Sequence, residues 1–337
     1  MQLPITLKTP IYIKDFASVG GFEEGRGPIG DKFDFIDKKG LFGMDTWERA
    51  EGEMSRLALN IALKKAELSA SDLSLITAGD LQNQCVASSG GLFSFGSAFL
   101  GLYGACSTLT ESIIVLASVM SLGDNYTFGA AVTSSHNCAA ERQFRTPVEY
   151  GGQRSPTAQW TATAAGAFIL SRQKTSIKVS AFMPGKIVDG YTSDATNMGA
   201  AMALSASETL MTYFEKTEEN PEDYDLLLTG DLGKVGSSIL HELLLEKSPL
   251  GKALKEKHRD CGNLLYGDYQ DTHSGGSGCG CSASVLASLY LPMVKQGKIK
   301  KMLLMSTGAL MSSSSVFQGD NIMGITPLVK IEHEENI

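Results

Sequence analysis

Residues 103–119 read YGACSTLTESIIVLASV. A turn of small residues, Gly104-Ala105, leads into Cys106, and an apolar run of helical spacing follows. A helix N-terminus carries partial positive charge and unpaired N–H groups, so a cysteine placed there is a candidate nucleophile. Working outward, the stretch has a counterpart. Residues 104–120, GACSTLTESIIVLASVM, resemble 278–294, GCGCSASVLASLYLPMV, with Cys106 matching Cys281 at an offset of 175. Upstream, LITAGDL (75–81) matches LLLTGDL (226–232), each an apolar run ending in Gly-Asp, as a buried strand does on reaching a loop. Downstream, YTFGAAVTSSH (126–136) matches KKMLLMSTGAL (300–310). A two-unit repeat of long period is a duplicated domain rather than a solenoid.

Strand and helix patterns alternate in both halves, which predicts an α/β fold with mainly parallel mixed sheets and buried helices. The polar crossing SRQKTSIKVSAF divides the chain into residues 1–174 and 175–337. The first clear helix is Thr46 to Ala66, with Asp45 as its expected N-cap. Met311 to Gly319, MSSSSVFQG, reads as a loop.

At 337 residues, 43% hydrophobic and 20% charged, the chain can bury a large core. A net charge of −8 argues against binding nucleic acid or anionic lipid through bulk electrostatics. We find no spanning apolar run, no signal peptide and no lipidation signal. The six cysteines are irregularly spaced and read as reduced thiols. Cys279-x-Cys281 lacks a second ligand pair, so no metal site and no cofactor is expected.

The order KKAELSASDLSLITAGD, GACSTLTESIIVLAS, TFGAAVTSS resembles the thiolase superfamily, in particular ketoacyl-acyl-carrier-protein synthase III, over roughly Phe42 to Glu332. That resemblance implies αβαβα layers and a pairing of subunits into a homodimer. Residues 134–171 together with GDYQDTHSGGSGCGCSAS (267–284) more specifically resemble the stage V sporulation protein AD family of spore-forming Firmicutes. The resemblance implies a protein that binds dipicolinic acid (pyridine-2,6-dicarboxylate), alone or as its calcium chelate, and serves its uptake into the developing spore. It also implies a peripheral position on the cytosolic face of the inner forespore membrane, beside membrane proteins of the stage V sporulation A operon.

Condensing enzymes need polar partners for the cysteine from the second half. Where the synthase III pattern carries a histidine, this chain has Thr229-Gly230-Asp231, and the asparagine of the thiolase pattern is missing too. His273 is the one candidate for a dyad with Cys106. We therefore expect a binding protein rather than an enzyme, with an acyl transferase using Cys106 as the alternative and a docking subunit as a third reading. For a flat dianion the candidate contacts are Cys106, His136, Asp231, His273 and Arg142, with Gly275 and Gly276 letting backbone come close. Arg145 and Arg154 share the loop, where pairing with Glu141 or Glu149 is the competing reading. Asp80 and Asp231 occupy matching places and either meet a chelated calcium or cap loops. Cys281 reads as structural, and Trp160 and Tyr150 as entrance or core residues.

Overall fold

The computed structural model describes residues 2–144 and 154–335. Its main sheet contains β1 (Ile5–Gly20), β2 (Leu73–Gly79), β3 (Ala98–Gly101), β4 (Phe128–Ser135), β5 (Ala164–Ser171), β6 (Ile177–Met183), β7 (Leu226–Thr229), β8 (His258–Asp260), β9 (Lys301–Met305) and β10 (Leu328–His333). The strand order is β8-β7-β9-β10-β6-β1-β5-β4-β2-β3, with Phe35–Ile36 paired beside β1. Read inward from either end, the order is the same: third, second, fourth, fifth and first strand of its half. The outer strands pair parallel and the central ones antiparallel. The matched sequences 75–81 and 226–232 thus form β2 and β7, each second from its edge. Residue 174 lies in the turn between β5 and β6.

The helices of seven or more residues that matter here are α1 (Trp47–Ala66), α2 (Val86–Leu92), α3 (Thr108–Leu122), α4 (Asn137–Phe144), α5 (Met198–Thr217), α6 (Gly233–Lys247) and α7 (Cys279–Val285). Successive strand residues point to opposite faces, and here both faces are buried. Leu226 and Leu228 enter the central core with Ile113 and Leu116 of α3 and Val285 of α7. Leu227 enters a second core with Leu210 of α5 and Leu240 of α6. Ile76, Val132 and Ile169 face a third with Met54 and Leu59 of α1. The result is five layers, with α3 and α7 in contact at the centre. Continuous burial explains why these strands read as apolar runs without alternation.

Three local readings change. The N-cap of α1 is Thr46, whose hydroxyl accepts from Arg49 N–H at 3.3 Å, not Asp45. The serine-rich stretch forms a short helix, Ser313–Phe317, capped by Ser312. Segment 105–122 is long and apolar enough to match a membrane span, although its polar residues interrupt any unbroken apolar run. Most of it is packed inside the fold as the central helix α3.

α1 and α2 cross where Gly52 meets Gly91: a Cβ on Gly91 would lie 2.1 Å from the Gly52 carbonyl oxygen. The neighbouring Gly90 has nothing within 4 Å. Gly91→Ala should therefore destabilise by roughly 1–3 kcal/mol through overpacking. Gly90→Ala should be neutral or stabilising by up to about 1 kcal/mol. Denaturant midpoints of the two variants would check this, and equal shifts would contradict the crossing.

Candidate functional site

The loop after β3 places Cys106. Ala105 has a φ of 52°, a left-handed conformation that costs a non-glycine residue energy and persists only where surroundings enforce it. Local bonds supply the enforcement. The Ser107 hydroxyl donates to the Gly104 carbonyl at 2.7 Å. The Thr108 hydroxyl accepts from Gly104 N–H at 3.0 Å and donates to the Ala105 carbonyl at 2.7 Å. α3 begins at Thr108, so Cys106 stands just ahead of the helix instead of opening it.

The second half supplies Asp231, buried after the end of β7. Its carboxylate accepts from the Thr307 hydroxyl at 2.7 Å, the Ser277 hydroxyl at 3.1 Å and Gly278 N–H at 2.9 Å. The Cys106 thiol lies 3.8 Å from the Ser277 hydroxyl, which itself donates to Asp231, so the carboxylate stands next to the sulfur. Burial pushes the thiol well above its ordinary 9.0, and the Asp231 carboxylate pushes it further. Burial also raises Asp231 itself, with the hydrogen bonds opposing. An activated cysteine needs the reverse, a positive neighbour that favours thiolate.

In front of the thiol is a cavity of about 60 Å³. Tyr103, Phe144, Met198 and Met311 give it apolar walls, while Thr161 and Ser277 present hydroxyls. Glu141 lines it too, and among the described lining residues there is no histidine, lysine or arginine.

The remaining candidates lie elsewhere. His273 is in an open depression with Arg154, Ser155 and Pro156. Its Nδ1 contacts the Ser155 carbonyl at 2.7 Å and its Nε2 the Asp271 carboxylate at 3.1 Å. The structure therefore does not assemble a Cys106–His273 dyad. His136 borders a second cavity of about 160 Å³, with its Nε2 on the Gly40 carbonyl at 2.8 Å. Arg142 stacks over Trp47 at 5.1 Å and pairs with Glu48. Arg154 stacks over Trp160 at 5.0 Å. Arg145, Glu149 and Tyr150 fall outside the described residues. Gly275, at φ 104°, packs against Gly262, and Gly276 pairs with Trp160 in a short parallel bridge. Both glycines shape the backbone beside Ser277 rather than line the cavity.

Asp80 is held by the N–H groups of Gln82 (2.8 Å) and Ser88 (2.7 Å) and by the Ser88 hydroxyl (2.5 Å), which makes it a loop cap. No group of three or more metal-ligating side chains occurs among the described residues. Sequence reasoning passed over Ser277 and Thr307, which carry Asp231, although Ser277 sits in the quoted GGSG turn. It also missed Glu51, buried in α1 beside Asp80 and bonded by Gln82 Nε2 at 2.7 Å.

Two predictions arise here. Asp231→Asn keeps an acceptor for Gly278 and removes the charge. Alkylation of Cys106 by iodoacetamide at pH 8 should then accelerate about tenfold for each unit by which the thiol falls. In the unaltered protein the half-exposed Cys138 should react first, and peptide mass mapping separates the sites. A fast Cys106 in the unaltered protein would refute the electrostatic reading. The second concerns pH. Burial, then the Asp80 charge, raises Glu51 from 4.5 to about 8. The folded state then holds a proton that the unfolded state releases, so this contribution is complete below about pH 4.5 and is lost as pH rises toward 8. Thermal midpoints should fall over that window, and Glu51→Gln should flatten the slope. Glu24 and Asp260, each raised to about 7, add slope of the same sign.

Comparison with known proteins now adds to this geometry. The crystal structure of a histidine-to-asparagine variant of Xanthomonas campestris OleA superposes with a TM-score of 0.63 at 11% identity, covering 97% of this chain and 100% of that one. The 3-oxoacyl-[acyl-carrier-protein] synthase III of Aquifex aeolicus VF5 gives 0.55 at 14% identity, over 99% and 100%. At such identities these likenesses show the fold, which is thiolase-like. Stage V sporulation protein AD of Bacillus subtilis (strain 168) is 38% identical over 323 residues, 96% of this chain and 94% of that protein. The family model for Stage V sporulation protein AD (SpoVAD) matches residues 2–332. The chain belongs to the stage V sporulation protein AD family, sporulation proteins built on the thiolase-like fold.

Proposed function

We propose that this sporulation protein binds dipicolinate in the Cys106 cavity and serves its uptake into the developing spore, without acyl transfer. The observation that carries this reading is the Asp231 carboxylate on the Cys106 thiol. Condensing chemistry needs a thiolate and donors for a developing oxyanion. A buried acid beside the sulfur opposes both. What is left is a pocket wall. The rings of Tyr103 and Phe144 offer flat apolar faces, and the Thr161 hydroxyl and the N-terminal end of α3 offer donors for carboxylates. At about 60 Å³ the cavity holds only a few waters, where one needs roughly 10–15 Å³. A pyridine ring therefore enters by displacing the adaptable side chains of Met198 and Met311.

In this reading the protein works at the cytosolic face of the forespore membrane, held by the membrane proteins of the same operon. It also pairs with a second copy. β3 is an edge strand with all its residues exposed, and Phe93 is 80% exposed beside it. An open apolar edge invites strand pairing.

Calorimetric titration with dipicolinate, with and without calcium, should show saturable binding that an isomeric pyridine dicarboxylate does not. Ala140→Trp, which fills the cavity, should weaken it by at least about tenfold, or 1.4 kcal/mol. Cys106→Ala should retain it. Absence of binding would refute the proposal for the isolated subunit, and an acyl adduct on Cys106 after incubation with acyl-coenzyme A would favour the transferase. Phe99→Asp should shift the protein toward monomer in light scattering. An unchanged mass would rule out pairing through β3.

A further inference from the structure

The short strand Trp160–Thr161 has a cavity on either side. Thr161 faces that of Cys106 and Trp160 the second, of about 160 Å³. Phe22, Trp47 and Trp160 give the second cavity aromatic walls, and Glu24 and His136 also line it. These two side chains are 1% and 3% exposed. Glu24 Oε1 accepts from Thr163 N–H at 3.0 Å and from the Tyr266 hydroxyl, while Oε2 has no partner. His136 Nε2 faces a carbonyl, which can only accept, so Nε2 carries the ring hydrogen. Burial lowers the imidazole, which keeps it neutral, and its Nδ1 is therefore a bare acceptor, also without a partner. The cavity thus has two acceptor atoms without a hydrogen-bond partner among the described residues, with the backbone N–H groups of Gly21 and Glu24 near the carboxylate.

That pattern selects against carboxylates and carbonyls and in favour of N–H groups. The aromatic walls point the same way, because ring faces attract cations. The protein already uses those rings so: Arg26 stacks over Phe22 at 5.2 Å, Arg142 over Trp47 at 5.1 Å and Arg154 over Trp160 at 5.0 Å. None of these guanidinium groups lines the cavity, and each is paired with its own acid, Glu23, Glu48 or Asp271.

We propose that this cavity binds a small organic ammonium, whose N–H groups donate to Glu24 Oε2 and His136 Nδ1 while its hydrocarbon part lies against Trp47 and Trp160. The site is separate from the Cys106 cavity and has the opposite ligand preference.

The chain has two tryptophans, and both line this cavity, so intrinsic fluorescence reports on it directly. The probe is benzylammonium at pH 8, with benzyl alcohol and benzoate as controls. The expected result is a saturable fluorescence change with benzylammonium alone, retained in Cys106→Ala and weakened at least about tenfold in Glu24→Gln. An equal response to benzyl alcohol would show an apolar crevice only and overturn the proposal, as would no saturable response or an unaffected Glu24→Gln. Should Glu24→Gln fail to fold, the unaltered protein supplies the test. Glu24 sits at about 7, so benzylammonium should bind more tightly at pH 8 than at pH 6. Of the groups around Glu24, the Cys138 thiol and Tyr266 phenol are pushed up and stay neutral, Glu23 is paired with Arg26, and Lys39 stands at the rim. Affinity independent of pH would overturn the assignment.

Discussion

The buried carboxylate of Asp231 ties the centre of the molecule together. It follows β7, accepts from Thr307 after β9 and from Gly278 ahead of α7, and meets Cys106, which precedes α3. One charged group therefore ties the loops that precede both central helices to those that follow β7 and β9. A buried carboxylate is tolerable only when its lone pairs are filled. Three donors fill them here. The same arrangement that stabilises Asp231 determines what the cysteine can do, since the thiol stands next to that acid. Thiolate formation would put two negative charges together in a dry interior.

Much of the architecture was legible because burial leaves a strong mark on sequence. Leu226–Thr229 and Leu73–Gly79 are covered on both faces, which favours apolar residues and admits Thr77 and Thr229 only because their hydroxyls are hydrogen-bonded. The Gly-Asp that ends each run was equally visible, because the chain there leaves the sheet. What could not be read was which side-chain partners those aspartates choose. Asp80 is satisfied locally, by residues two and eight positions on. Asp231 is satisfied from 46, 47 and 76 residues away. Only the first arrangement is encoded by neighbours.

The same distinction explains the site. Cys106 announced itself through its turn and its helix, both local. Its dyad with His273 was inferred from order along the chain, but His273 bonds to the Ser155 carbonyl and turns away. Arg142 has Glu48 and Trp47 as partners 94 and 95 positions earlier, pairings that no spacing rule contains. Gly275 and Gly276 do bring backbones together, the first against Gly262 and the second beside Trp160.

A two-residue strand then separates two chemistries. Thr161 turns its hydroxyl, a donor, toward the cavity in front of Cys106. Trp160 turns its ring toward a cavity whose buried polar atoms, Glu24 Oε2 and His136 Nδ1, accept. The alternation of side chains along a strand makes that possible over a single residue step. Neither polarity follows from the net charge of −8, which is common to both cavities. Both come from which hydrogen-bonding atoms the fold leaves without a partner, and in a dry cavity that is a stronger selector than net charge.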